Sequence, residues 1–289
     1  MVYIPENPLI IQSDRSVLLE VHSPYADVAR AAIAPFAELL KSPEHIHTYQ
    51  ISPLSIWNAR AAGMPVTKMI AALREYAKYP MPEAVAQDII TLGSRYGLTV
   101  IERDGDRLLL KTADLPLAEL LSHSDEVAQY LGDRRSDCVF TIEGGDRGVL
   151  KQALLAAGYP AEDLAGYVSG EPLPLELRSH TAGGAPFRLR DYQTEAAAAF
   201  YQAGQVQGGS GVIVLPCGAG KTMVGMAAIA QVQENTLVLT SSLTSVRQWQ
   251  RELLDKTTLP PEAIAEYSGE AKQTAPITLA TYQILSYRS

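Results

Sequence analysis

The stretch VIVLPCGAGKTMVG, Val212 to Gly225, constrains this chain more than any other. Apolar residues in strand style run into a glycine-rich turn, then Lys221 and Thr222, then the helix-like MVGMAAIAQV from Met223. Strand, glycine turn and helix in that order make a cradle for nucleotide phosphates. The turn is Cys217, Gly218, Ala219 and Gly220. Its two glycines let backbone N–H groups curl inward on phosphate oxygens, and the positive end of the following helix points at the same place. Lys221 then neutralises the outer phosphates and the Thr222 hydroxyl ligates Mg²⁺, so ATP and Mg²⁺ are the expected ligands and Lys221 and Thr222 the catalytic pair. The full pattern, G-x-x-x-x-G-K-[ST], has a glycine five positions before Gly220, where this chain has Leu215. The flanking strand and helix are the context the motif requires, and they outweigh that departure.

The rest of the chain is sized for soluble domains. Its 289 residues, 47% hydrophobic and 19% charged, suit about two or three globular units. No apolar run approaches the roughly 18 to 20 residues that span a bilayer. The opening MVYIPENPLIIQSDRS lacks the basic start and apolar core of a signal peptide, so a cytoplasmic location is expected. Cys138 and Cys217, the only cysteines, lie far apart with no His or Cys cluster beside them; neither a disulfide nor a zinc site is expected. The net charge of −8 gives no whole-chain case for nucleic acid. Residues 1–180 hold sixteen basic and twenty-four acidic side chains, whereas residues 181–289 hold eight of each. All the excess acidity sits upstream of the phosphate loop.

Along that upstream region, PLIIQSDRSVLLEV predicts two short strands around a turn at Ser13 to Ser16, and YADVARAAIAPFAELL an amphipathic helix. Helices follow from Ser52, Pro65 and Pro82, each with Pro near its first turn. LTVIERDGDRLLLKT is a hairpin turning at Asp104-Gly105. Three helices and a hairpin is the order of a winged helix. The third helix, however, carries only Glu83, Asp88 and Arg95, and a net negative recognition helix faces phosphate unfavourably. A docking or scaffold module is the better expectation. Residues 115–131 are helical in pattern, DCVFTIEGGDRGVLKQALLAAGYP reads as a strand, a break and a helix, and Tyr167 to Phe187, rich in Pro and Gly, reads as a linker.

After it come an Ala-rich helix, the buried strand GVIVL, the phosphate loop with its helix, the strand NTLVLTSS, the helix TSVRQWQRELLDK and the strand APITLATYQIL. This alternation predicts a parallel sheet with ligands at the carboxyl ends of its strands. FRLRDYQTEA lies upstream of the loop, with Gln193 28 residues before Lys221. Arg190 and Gln193 there are candidate nucleotide contacts, since an amide both donates and accepts at a base edge. The plainer alternative is a solvated helix start. Thr240, Ser241 and Ser242 end one strand, and Thr281 and Tyr282 end another. They are candidates for holding a nucleic-acid backbone, against the plainer reading of serines as helix caps. Trp249 has core spacing with Leu253, and His22, His45, His47, His123 and His180 form no spaced cluster.

Together LRDYQTEA, GVIVLPCGAGKT, LVLTSSLTSVRQWQ and ATYQIL resemble, in order, the nucleotide and strand-contact motifs of the XPB family of superfamily 2 helicases, whose phosphate loop likewise reads VLPCGAGKT. PLIIQSDRSVLLEV, SPEHIHTYQISPLSIWNARAAG and VFTIEGGDRGVLKQALLAAGYP resemble that family's N-terminal and damage-recognition-like regions. The resemblance covers nearly the whole chain and accounts for Leu215. It implies an α/β fold with an incomplete RecA-like motor domain at 181–289. Before it stand an α+β accessory domain with a winged-helix-like part at 1–120 and a small α/β domain with linker at 121–180. It also implies a parent ATP-dependent 3′–5′ DNA helicase of DNA repair. After Thr222 no Asp-Glu pair follows an apolar strand, so the chain is expected to be a front portion that binds ATP, hydrolyses it poorly and holds DNA weakly. The alternative is a non-catalytic platform that docks a protein, such as a nuclease or other repair partner, through its acidic region and keeps a vestigial nucleotide pocket.

Overall fold

The computed structural model describes residues 3–205 and 208–286. Two compact units divide the chain, Met1–Ala165 and Gly166–Ser289.

The first unit opens with the hairpin β1 (Leu9–Ile11) and β2 (Ser16–Glu20). Asp14 and a left-handed Arg15 (φ 67°) make its turn, where Asp14 Oδ1 accepts the Ser16 N–H at 2.9 Å. Alternation in β2 buries Val17 and Leu19. In α1 (Ala26–Ile33) the buried face is Ala26, Ala29 and Ile33. The sequence predicts a helix to Leu40, but it stops at Ile33, and β3 (Glu38–Lys41) follows. Pro35 supplies no N–H to a continuing helix and its ring clashes with the preceding turn, which releases the two leucines to an edge strand. With β4 (Ile46–Gln50), which periodicity did not predict, they complete an antiparallel sheet of order β1-β2-β4-β3. Three helices cover it: α2 (Pro53–Ala61), α3 (Val66–Tyr76) and α4 (Glu83–Ser94). Ser52 caps α2 by accepting the Ser55 N–H at 3.0 Å, and Trp57 Nε1 donates to the Leu92 carbonyl at 2.8 Å, tying α2 to α4.

A second core in the same unit lies under a five-stranded sheet. Its hairpin is β5 (Thr99–Asp104) and β6 (Arg107–Thr112), turning at Gly105 (φ 59°) as predicted. Beyond α5 (Leu115–Ser122) and α6 (Asp125–Ala128) come β7 (Arg134–Ser136), β8 (Val139–Ile142), α7 (Arg147–Ala156) and β9 (Ala161–Asp163). The strand order is β7-β8-β6-β5-β9, so the hairpin is paired on both sides, and one sheet spans residues 99 to 163. Asp163 at the end of β9 receives Arg147 (2.7 Å) and Lys151 (2.9 Å) from α7. Burial raises the Asp163 carboxyl, but the hydrogen bonds and charges of Arg147 and Lys151 outweigh it and leave the group below the usual carboxylate range.

The second unit begins with the Pro- and Gly-rich stretch read as a linker. It has little regular structure, as its composition predicts, yet it is no free tether: Leu173 and Leu175 are buried in the unit's core. Then come α8 (Asp191–Tyr201), α9 (Lys221–Val232), β10 (Thr236–Thr240), α10 (Leu243–Lys256), β11 (Ile264–Tyr267), β12 (Ile277–Thr281) and α11 (Tyr282–Ser286). The sheet order is β10-β12-β11, and both pairings are parallel. The mixed α/β class with a parallel sheet stands as the sequence predicts. The buried strand GVIVL does not. Among the described residues it pairs with no strand, and Val212 and Val214 are 89% and 86% exposed. A parallel strand exists only through its ladder to a neighbour, and an apolar run predicts a strand only on condition that one is supplied. Trp249 packs against the core, as its spacing suggests; a Cβ on Gly225 would come within 2.5 Å of its ring.

Candidate functional site

Helices α8 and α9 meet through small side chains. Ala197 from the first and Val224 and Ala227 from the second form a buried cluster, with Leu177, Leu189, Ala196 and Leu215 around it. Alanines permit close approach, and the start of α8 is thereby held against the loop that precedes α9. Gly220, the residue before α9, has φ 78°, and Gly218 has φ 79°. Only glycine adopts that region without strain. A Cβ on Gly220 would also stand 2.5 Å from Gln193 Nε2.

The expected phosphate-binding residues are brought together here. Lys221 is exposed at the first position of α9, with its Nζ donating to the Pro216 carbonyl at 3.0 Å. Thr222 follows in the first turn, where its hydroxyl would be a ligand for the Mg²⁺ of a bound nucleotide. Cys217 is exposed and free. The Ala219 N–H is spent on the Pro216 carbonyl at 3.3 Å, and two left-handed glycines, one ammonium and one hydroxyl remain as the set that would suit a Mg²⁺–nucleotide. The same loop leaves a carbonyl, that of Ala219, to be satisfied from outside.

Gln193 does that, and so does a residue the sequence reading passed over. Gln193 is buried; its Nε2 donates to the Ala219 oxygen at 2.9 Å and its Oε1 accepts the Arg190 N–H at 3.0 Å. Both ends of the amide proposed for a base edge are thus engaged with the protein. Tyr192 Oη donates to the same Ala219 oxygen at 2.7 Å. Tyr192 stood in the quoted RDYQ run. Its signal was adjacency to Gln193, which sequence alone had no means to convert into a contact.

The strand-end hydroxyls divide. Thr240 and Thr281 face each other across the β10–β12 ladder at its carboxyl end, as expected for parallel strands. Both are buried, and the Thr240 hydroxyl donates to the Ser242 carbonyl at 3.0 Å. Ser242 caps α10, accepting the Ser245 N–H at 3.2 Å, which is the plainer of its two readings. Ser241 is exposed and Tyr282 is 59% exposed, so of the five only these two, with partly buried Ser242 spent on its cap, present free side chains to solvent. In the first unit, His22 Nε2 and His45 Nδ1 lie 2.9 Å apart. Their sequence separation hid that contact. Among the described residues no helix is long and apolar enough to cross a membrane.

Residues 9–136 match the family described as helicase conserved C-terminal domain, and residues 186–289 match that described as type III restriction enzyme, res subunit. The chain is 46% identical over 285 residues to the DNA 3′-5′ helicase XPB of Mycobacterium tuberculosis, covering 98% of this chain and 50% of that protein. It is 45% identical over 282 residues to the protein of the same name from Kineococcus radiotolerans, covering 97% and 49%. The general transcription and DNA repair factor IIH helicase/translocase subunit XPB/SSL2 of Saccharomyces cerevisiae is 24% identical over 336 residues, covering 96% of this chain and 39% of that protein. The chain spans about half the length of the two bacterial relatives it matches.

Proposed function

We infer function from one premise: the chain belongs to the XPB family of DNA helicases. We propose that its residues 181–289 are a RecA-like motor module that binds Mg²⁺–ATP at the loop Cys217 to Thr222. In this reading it serves an ATP-driven 3′–5′ DNA helicase of repair. One observation carries the reading: two left-handed glycines lead directly into α9, with Lys221 and Thr222 at its start. Left-handed glycines before a helix N-terminus are the backbone device by which such loops bind anions, which supports the reading.

In this reading Lys221 leaves the Pro216 carbonyl for the outer phosphates, and the Thr222 hydroxyl holds Mg²⁺. The ion, when bound, neutralises charge between the β- and γ-phosphates. Arg190 and Gln193 flank the base. Ser241 and Tyr282, with the backbone around Thr240, Ser242 and Thr281, hold a DNA strand by its phosphates. We read the first unit as accessory: α2 to α4 belong to one module, and a damage-recognition-like module is built on the sheet of residues 99–163, which holds the β5–β6 hairpin between β8 and β9 instead of leaving it as a free wing. The acid excess before residue 180 suits docking of a protein, such as a repair nuclease, better than docking of DNA.

No Asp-Glu pair follows Thr222 in these residues, so binding rather than turnover is the property to measure. A titration of the chain with a fluorescent ATP analogue should saturate only with Mg²⁺ present. Lys221→Ala should abolish that binding without lowering the melting temperature, because the side chain is exposed and its one described bond is to its own loop. Absence of Mg²⁺-dependent binding in the unaltered chain would favour the non-catalytic docking platform instead.

A further inference from the structure

Ala219 sits between Gly218 and Gly220, both left-handed, and its carbonyl oxygen receives two side-chain donors, Tyr192 Oη at 2.7 Å and Gln193 Nε2 at 2.9 Å. The peptide is trans, as there are no cis bonds among the described residues. In a trans peptide the C=O and the N–H point to opposite sides. An Ala219 oxygen anchored on the α8 side therefore turns the Gly220 N–H the other way, into the loop. A phosphate nest needs that orientation, because it binds by converging N–H groups. The glycine on its C-terminal side, Gly220, makes such a peptide easier to flip when nothing holds it.

The environment of Tyr192 fixes the direction of its hydrogen bond. Arg190 Nη1 and Gln193 Nε2, both donors, lie 3.5 Å from Oη, and the Ala219 oxygen is an acceptor only. The phenol accordingly gives its proton to the loop. We propose that Tyr192 is a positioning residue of the phosphate cradle, which aims the Gly220 N–H by holding the Ala219 carbonyl outward. This rests on the reading of the loop as a phosphate site and adds a residue whose effect is blind to the base. Gln193 shares the anchor, and the function proposed above also assigns it to the base, so the two residues differ in what their loss should do.

The test is Tyr192→Phe in the full chain, which removes the hydroxyl and keeps the ring. ATP, GTP and tripolyphosphate are each titrated, with Mg²⁺, against a bound fluorescent ATP analogue, and adenosine is the phosphate-free control. All three phosphate ligands should weaken by one common factor of about five, the worth of one net hydrogen bond, with the ATP-to-GTP ratio unchanged. Adenosine binding and the melting temperature should not move. Unchanged affinity for tripolyphosphate overturns the proposal. So does a loss confined to ATP, which would make Tyr192 a base contact, or a loss that includes adenosine and tracks a lowered melting temperature, which would make it merely structural. If the unaltered chain binds no ATP, the cradle reading itself falls and takes this inference with it. If the unaltered chain binds ATP and Tyr192→Phe binds it equally, the inference alone falls.

Discussion

Gln193 shows how a single side chain acquires meaning from its neighbours. As a letter in RDYQ it was a candidate base reader; in the fold its amide also braces the glycine turn before α9 through the Ala219 carbonyl. Gln193→Ala is therefore expected to do two things. It should narrow the preference for ATP over GTP, and it should weaken both nucleotides by several-fold through the loop, on the order of one to two buried hydrogen bonds. Equal discrimination before and after the change, measured by competition with both nucleotides, would remove Gln193 from base recognition while leaving its brace intact. Lys221 is the contrast. It is exposed, so its removal should act on binding alone.

Between elements, ion pairs and ladders decide what individual residues do not. The pairing of β9 with β5 is reinforced by Asp163, which takes Arg147 and Lys151 from α7. Its folded pKa is lowered from 3.8. The stabilisation it provides is complete above that unfolded value and is lost as pH falls through the folded value. Asp163→Asn should accordingly lower the melting temperature near neutral pH and converge with the unaltered chain at low pH. Two melting curves separated by a constant interval from neutral to strongly acidic pH would contradict this account. Element boundaries were legible where a local signal existed. The cap at Ser52, the turn at Gly105 and the starts of α3 and α4 fell where Pro, Ser and Gly place them. The short strands β3, β4, β7, β9 and β11 were not legible, because three to five residues carry too little periodicity and their strand character comes from ladders to distant partners.

For the whole molecule, the charge map bears on DNA. Residues 181–289 are neutral by count and the preceding region is net acidic, which leaves hydroxyls and backbone amides of residues 181–289 to hold phosphates in the function proposed. Such contacts position a strand but add little affinity. The chain should bind duplex DNA with a dissociation constant of about 10⁻⁴ to 10⁻⁶ M, weakening steeply with salt. Ser241→Glu and Tyr282→Ala should weaken it further; anisotropy of a labelled duplex across a salt series would show this, and indifference to both substitutions would place the DNA contact elsewhere. By itself the sequence determined the run of helices, the glycine turn before α9 and the strands β10 and β12 of the parallel sheet, since these depend on local stereochemistry and short-range periodicity. Only the tertiary structure decided that GVIVL lacks a paired neighbour among the described residues, that the Pro- and Gly-rich stretch buries Leu173 and Leu175, and that Tyr192 and Gln193 share one carbonyl. Each of those depends on which distant groups come within about 3 Å for a hydrogen bond or 4 Å for packing, a quantity that no window of adjacent residues contains.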